Sequence, residues 1–88
     1  MNKKPRLSPH AGVLIERQVE GQRELQTAYA GSALNSGRAF AQALLSAQAD
    51  PAARRVLYLE FVHAEVVVSV SVPIQHERAT PLPAEDLF

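Results

Sequence analysis

The sequence predicts an all-α fold in which two amphipathic helices pack on a long, apolar third helix. Three observations favour this class. Apolar residues recur at helical spacing over residues 10–27 and again over residues 36–49. Asp50 and Pro51 are typical of a helix start, and no glycine, proline, asparagine or aspartate follows before Pro73.

The first predicted helix, residues 10–27, has an apolar side and a charged side when projected at 100° per residue. A break follows at "YAGSALNSG", since Gly31 and Gly37 enclose three hydroxyl or amide side chains that oppose a helix interior. A continuous helix with a weak point remains the alternative. The apolar side comprises Leu14, Ile15, Val19, Leu25, Ala28 and Tyr29, and the charged side comprises Glu16, Glu20, Arg23 and Glu24.

The second predicted helix, residues 36–49, carries alanines that allow a neighbour to approach closely. Its apolar side comprises Phe40, Ala41, Leu44, Leu45 and Ala47.

The third predicted helix begins at Pro51, because aspartate is a preferred N-cap and proline fits the first helical position. Residues 62–72 are ambiguous, since valine alternates with serine there as in a half-buried strand. A strand needs a partner, and no other segment presents a convincing one. The alternative fold is therefore α+β, with one C-terminal strand paired between chains.

Both interpretations of residues 51–72 predict association with another chain. As a helix, this segment has two apolar sides, of which the preceding helices cover one; as a strand, it needs a strand from another molecule. We expect a homodimer that also binds a larger protein. The predicted partner or dimer interface comprises Leu57, Leu59, Phe61, Ala64, Val66, Val68 and Val70.

Length and composition set the domain plan. Residues 1–9 form a basic arm expected to be disordered, residues 10–72 a single helical domain, and residues 73–88 a proline-rich extended tail. The 88 residues include nine basic and nine acidic side chains and no cysteine. The neutral balance argues against nucleic acid as the main partner, and the charges within the valine-rich run argue against membrane insertion. We expect a cytoplasmic protein that gains stability by oligomerising.

The candidate chemical sites are weak. On a helix, Glu60 and His63 form a Glu-x-x-His pair of the kind that binds metal in di-iron bundles. Arg38, Arg54 and Arg55 are the basic residues available for DNA binding. The sequence contains no cysteine nucleophile and no Gly-x-Ser-x-Gly elbow. We therefore predict no enzyme, no cofactor, no metal and no small-molecule substrate.

The predicted function is that of a small, non-catalytic regulator that binds protein. In general character the sequence resembles adaptors, secretion chaperones and anti-activators. Such a protein masks an apolar surface of a larger protein, for example the dimerisation face of a transcriptional regulator. A small DNA-binding regulator is the first alternative, and a metal-binding helical bundle is the second.

Overall fold

A computed structural model describes residues 9–76, which form four strands and one α-helix. The predicted arm over residues 1–9 and tail over residues 73–88 lie largely outside these residues. The elements are β1 (His10–Val19), β2 (Gln22–Ser32), a single 3-10 turn (Ala33–Asn35), α1 (Ser36–Gln48), β3 (Ala53–Val62) and β4 (Glu65–Pro73).

The four strands form one antiparallel sheet in the order β2-β1-β3-β4. The predicted all-α fold is therefore wrong. The alternative fold is also wrong in its strand count and pairing, because β4 pairs with β3 of the same chain. Of the three predicted helices only the second is present, where α1 agrees with the predicted residues 36–49 to within one residue.

A hairpin replaces the first predicted helix. Ala11, Val13 and Ile15 alternate along β1 and are buried, so their period is two residues and not 3.6. Glu20 and Gly21 form the two-residue turn, with φ values of 51° and 81°. Positive φ at both central residues is what a type I′ hairpin requires, because its backbone twist matches that of the strands.

A second hairpin replaces the long third helix. Asp50 forms a turn, and not a helix cap: its Oδ1 accepts a hydrogen bond from the Ala52 amide at 2.9 Å. The turn between β3 and β4 consists of His63 and Ala64, with φ values of 55° and 67°. Residues other than glycine rarely adopt this left-handed backbone conformation, so the sequence carries no ordinary turn signal here.

A register irregularity in the β1–β3 pair brings two apolar side chains of β3 to the face that packs on α1. Between Glu16 and Arg17 of β1 the pairing skips Arg54, so that Ala53 and Val56 both point towards α1 although they are three residues apart. Both are fully buried. The bulge therefore extends the apolar face of β3 under the C-terminal half of the helix.

The core lies between α1 and one face of the sheet. The helix packs against β1, β2 and β3, and it makes few or no contacts with β4. Most buried side chains are small, and Phe40, Leu44, Tyr29 and Tyr58 pack only partly against them. The buried apolar residues of the described chain are Ala11, Val13, Ile15, Ala43, Ala47, Ala53 and Val56.

None of the helices in residues 9–76 is both long enough and apolar enough to cross a membrane.

Truncating the core should destabilise the fold far more than truncating the outer side of the helix. We expect Val56→Ala to lower the free energy of unfolding by about 2 kcal/mol, through lost burial and the cavity left behind. Leu45→Ala, at a side chain 69% exposed, should change it by less than about 0.5 kcal/mol. Urea denaturation of both variants at one protein concentration measures the difference, and equal losses would contradict this core.

The two hairpin turns predict substitutions of opposite sign. Gly21→Ala should cost roughly 0.5–1 kcal/mol, because an added Cβ meets nothing within 4 Å and only the positive φ opposes it. Ala64→Gly should gain a similar amount by relieving the same backbone cost. Thermal and urea unfolding of the two variants test this, and destabilisation by Ala64→Gly would show that the second turn is not left-handed.

Candidate interaction surface

The face of the sheet opposite α1 carries a band of large apolar side chains, and no element of residues 9–76 packs on it. Leu14 of β1 is the cross-strand neighbour of Leu57, and Leu59 and Phe61 continue the band along β3. All four are only partly buried. We call this band, Leu14, Leu57, Leu59 and Phe61, the open face.

Paired charges and hydroxyl groups border the open face. Glu16 forms ion pairs with Arg55 (Oε1 to Nε, 3.2 Å) and with Arg23 (Oε2 to Nε, 3.1 Å), so a carboxylate on β1 joins β3 and β2. Arg55 also donates to Ser71 Oγ at 2.7 Å. The open face is therefore apolar with a polar border of one carboxylate and two guanidinium groups, the usual anatomy of a protein-binding patch.

Strand β4 exposes a second apolar surface at the edge of the sheet. Val66 and Val67 are 51% and 53% exposed, and Val68 and Val70 are each 38% exposed. Val68 and Val70 lie on the helix side of the sheet, opposite Glu60 and Tyr58, where α1 makes few or no contacts with β4.

The structure divides the predicted interface between these two surfaces. Leu57, Leu59 and Phe61 lie on the open face, whereas Val66, Val68 and Val70 belong to the exposed edge strand and Ala64 lies in the turn between them. The predicted third helix, whose two apolar sides were to carry these residues, is replaced by β3 and β4. Sequence reasoning missed Leu14, although it alternates with Val13 and Ile15 as a residue on the opposite sheet face must.

A chain of hydrogen bonds links α1 to β3. Ser36 is buried, and its Oγ lies 2.8 Å from the Ala33 carbonyl and 2.9 Å from the Tyr58 hydroxyl; its single proton can be donated to either oxygen, and donation to Tyr58 completes the chain. Tyr58 donates to Glu60 Oε2 at 2.6 Å, and this bond raises the pKa of the phenol. A phenol held in its protonated form is neither a nucleophile nor a base. These contacts position α1 on the sheet, together with the packing of Phe40 on Tyr58 at a ring separation of 5.3 Å.

A second polar cluster closes the end of the sheet where β3 begins. Arg17 Nε donates to Asp50 Oδ2 at 2.7 Å, and Arg17 also donates to Glu24 at 2.9 Å. The hydrogen bond from Arg17, followed by that from the Ala52 amide, lowers the pKa of Asp50. Both partners of the Arg17–Asp50 pair are partly exposed, so the cluster is a structural tie between β1 and the turn before β3.

The helical Glu-x-x-His pair is absent, and two of the three arginines named for DNA binding, Arg54 and Arg55, contact other groups of this chain. Glu60 lies in β3 and His63 in the following turn, so the Glu-x-x-His pair is not on a helix. Within the described residues no three His, Cys, Asp or Glu side chains converge as metal ligands would. Arg54 donates to the Pro51 and Ala53 carbonyls, and Arg55 is paired with Glu16. These arginines are therefore engaged within the chain.

A shallow depression of about 260 Å³ lies between α1 and β2. Its lining carries no carboxylate, histidine or basic side chain that could perform acid–base chemistry. It is lined by Ile15, Ala28, Tyr29, Ala39, Gln42, Ala43 and Ser46.

No family model, curated protein or solved structure matches this chain.

The Arg17–Asp50 pair predicts a pH dependence of stability. Because the pKa of Asp50 is lower in the folded state than in the unfolded chain, the pair stabilises the fold above the unfolded pKa, and this contribution disappears as the pH falls through the folded pKa. Asp50→Asn keeps an acceptor for the Ala52 amide but removes the charge. The variant should be less stable at neutral pH and should lose less stability on acidification below about pH 4.

Urea denaturation from pH 7 down to acid conditions measures this effect. Glu65→Gln, which neutralises an exposed carboxylate at the start of β4, is the matched control. An Asp50→Asn profile parallel to that of the wild type would show that the pair contributes no pH-dependent stability.

Proposed function

We propose that this protein is a non-catalytic, protein-binding module that masks an apolar surface of a larger protein with its open face. The observation that carries the proposal is the placement of the large side chains. The fully buried core is built from alanine, valine and isoleucine, whereas Leu14, Leu57, Leu59 and Phe61 lie on the side without the helix.

The energetics of such a surface favour burial against another apolar surface. Each large aliphatic or aromatic side chain that goes from exposed to fully buried contributes roughly 1.5–3 kcal/mol. The four side chains here are already partly buried, so each contributes a fraction of that amount. A contiguous band at the centre of the sheet, with a polar border, still resembles the desolvated centre and wet rim of an interface.

The border indicates what kind of partner fits. Glu16 is shared between Arg23 and Arg55, so both guanidinium groups beside the band are already engaged with a carboxylate, and the three groups together carry one net positive charge. A strongly charged partner, such as nucleic acid, would have to break these pairs to gain contacts. An uncharged, apolar strip on a larger protein requires no such exchange, and the Ser71 hydroxyl beside Leu57 can hydrogen-bond to its polar margin.

Site-specific crosslinking in the native host tests the proposal. A photo-crosslinking amino acid in place of Leu59 should give a discrete adduct with one other protein, because this position lies within the proposed interface. The same amino acid in place of Leu45, a more exposed position on the far side of α1, should give none. The partner, once identified and purified, should bind Leu59→Lys at least tenfold more weakly than wild type or Leu45→Lys, equivalent to about 1.4 kcal/mol.

Two results would contradict the proposal. Equal adducts from positions 59 and 45 would show that the open face has no special affinity. Adducts at position 59 with further copies of this chain alone would show that the face serves self-association and not a larger protein.

A further inference from the structure

We propose that β4 pairs edge to edge with β4 of a second copy, which joins two four-stranded sheets into one continuous eight-stranded antiparallel sheet. The inference concerns a different surface from the open face and does not rest on the function proposed above. It follows from the difference between the two edges of the sheet, from the exposed valines of the edge strand β4, and from the symmetry of the β4 sequence.

The edge at β2 has the features that discourage pairing with another strand. It carries the charged residues Arg23 and Glu24, which form ion pairs with Glu16 and Arg17 of the neighbouring strand β1. A bulge at Ala28 interrupts its register with β1. Charges and bulges on an edge strand prevent a second strand from adding to it.

The edge at β4 lacks charges along its whole middle part. Its residues 66–72 are five valines and two serines, all uncharged, and the bulge that it does contain lies near the hairpin end, between Val66 and Val68. The stretch from Val68 to Val72 pairs regularly with β3 and leaves every second backbone N–H and C=O directed outwards. A long, uncharged, β-branched edge of this kind is a template for strand addition.

A second copy fits this edge because the stretch is complementary to itself. In an antiparallel pair related by a two-fold axis at Val70, Val68 of one copy lies opposite Val72 of the other, and Ser69 lies opposite Ser71. Paired residues share a sheet face, so valines meet valines on the helix side and serines meet serines on the other side. No like charges approach across the axis.

The uncovered valines give a second reason for choosing another copy. Val70 is the cross-strand neighbour of Tyr58, on which Phe40 of α1 packs, so Val68 and Val70 adjoin the apolar core directly. The two-fold axis perpendicular to the sheet keeps both helices on one side. The valines of the two β4 strands then lie between the helices as one extension of both cores.

The paired sheet also fixes the spacing of the two open faces. Three strand spacings separate β3 of one copy from β3 of the other, or about 14 Å. The two open faces would therefore lie side by side, and Ser69 and Ser71 of each copy would lie between them. A partner of the open face would meet a surface twice as wide as the monomer offers.

The oligomeric state of the full chain and of two charge variants tests the inference. Light scattering and sedimentation should give a dimer for the wild type and monomers for Val70→Lys and for Val70→Glu, each alone, because like charges would face each other at the axis. An equimolar mixture of the two variants should recover the dimer. Gln26→Lys, the matched charge on the β2 edge, should dimerise within threefold of the wild-type dissociation constant.

A crosslink gives a second measurement that does not depend on the charge variants folding well. The chain has no cysteine, so Val70→Cys introduces a single thiol, and opposed residues of an antiparallel pair have Cα atoms close enough for a disulfide. Mild oxidation should link Val70→Cys to itself at least tenfold faster than Gln26→Cys.

Several results would overturn the inference. These are a wild-type monomer at micromolar concentration, a dimer that survives both charge variants, and equal crosslinking at positions 70 and 26. A specific dimer that crosslinks at position 59 but not at position 70 would assign self-association to the open face. Polydisperse aggregates would show that β4 pairs with other strands non-specifically and does not form a defined two-fold dimer.

Discussion

The width of a single helix limits what this fold can cover. An α-helix with its side chains is about 10 Å across, whereas the outer strands of a four-stranded sheet are about 14 Å apart. Helix α1 lies over β1, β2 and β3, and its inward residues Ala43 and Ala47 allow it to approach the sheet closely. The cost of this arrangement is that β4 extends beyond the helix on one face, and that no element of residues 9–76 covers the other face.

The small core is the second consequence of the same constraint. A helix that packs through alanine leaves little space for large side chains, and the largest fully buried ones are Val13 and Val56. Domains of this size bury a modest fraction of their surface and are often stabilised by disulfides, metals or oligomerisation. This chain has no cysteine. Association through β4 or the open face would add buried apolar surface that the monomer lacks.

The sequence predicts part of this structure, and its failures have physical causes. The helix over residues 36–49 was predictable from the spacing of its apolar residues, and the apolar character of the β3 and β4 segment from its composition. The first hairpin was missed because Leu14 and Leu25, on the sheet face opposite α1, combine with the buried residues of β1 to mimic a helical stripe. The Glu20-Gly21 turn was the available signal. The second hairpin was harder to predict, because His63 and Ala64 adopt left-handed conformations that are uncommon for residues other than glycine. Prediction of the exposed edge required the strand order, which no local pattern contains.

Amide hydrogen exchange of the full-length wild-type protein tests the central claim, that β4 is covered in solution, most directly. Every second amide of β4 does not bond to β3, and these amides should exchange as slowly as those of the central strands β1 and β3. They should lose this protection on dilution. The outward amides of β2 should exchange quickly at every protein concentration. Outward β4 amides that exchange as fast as those of β2 at every concentration would contradict the account.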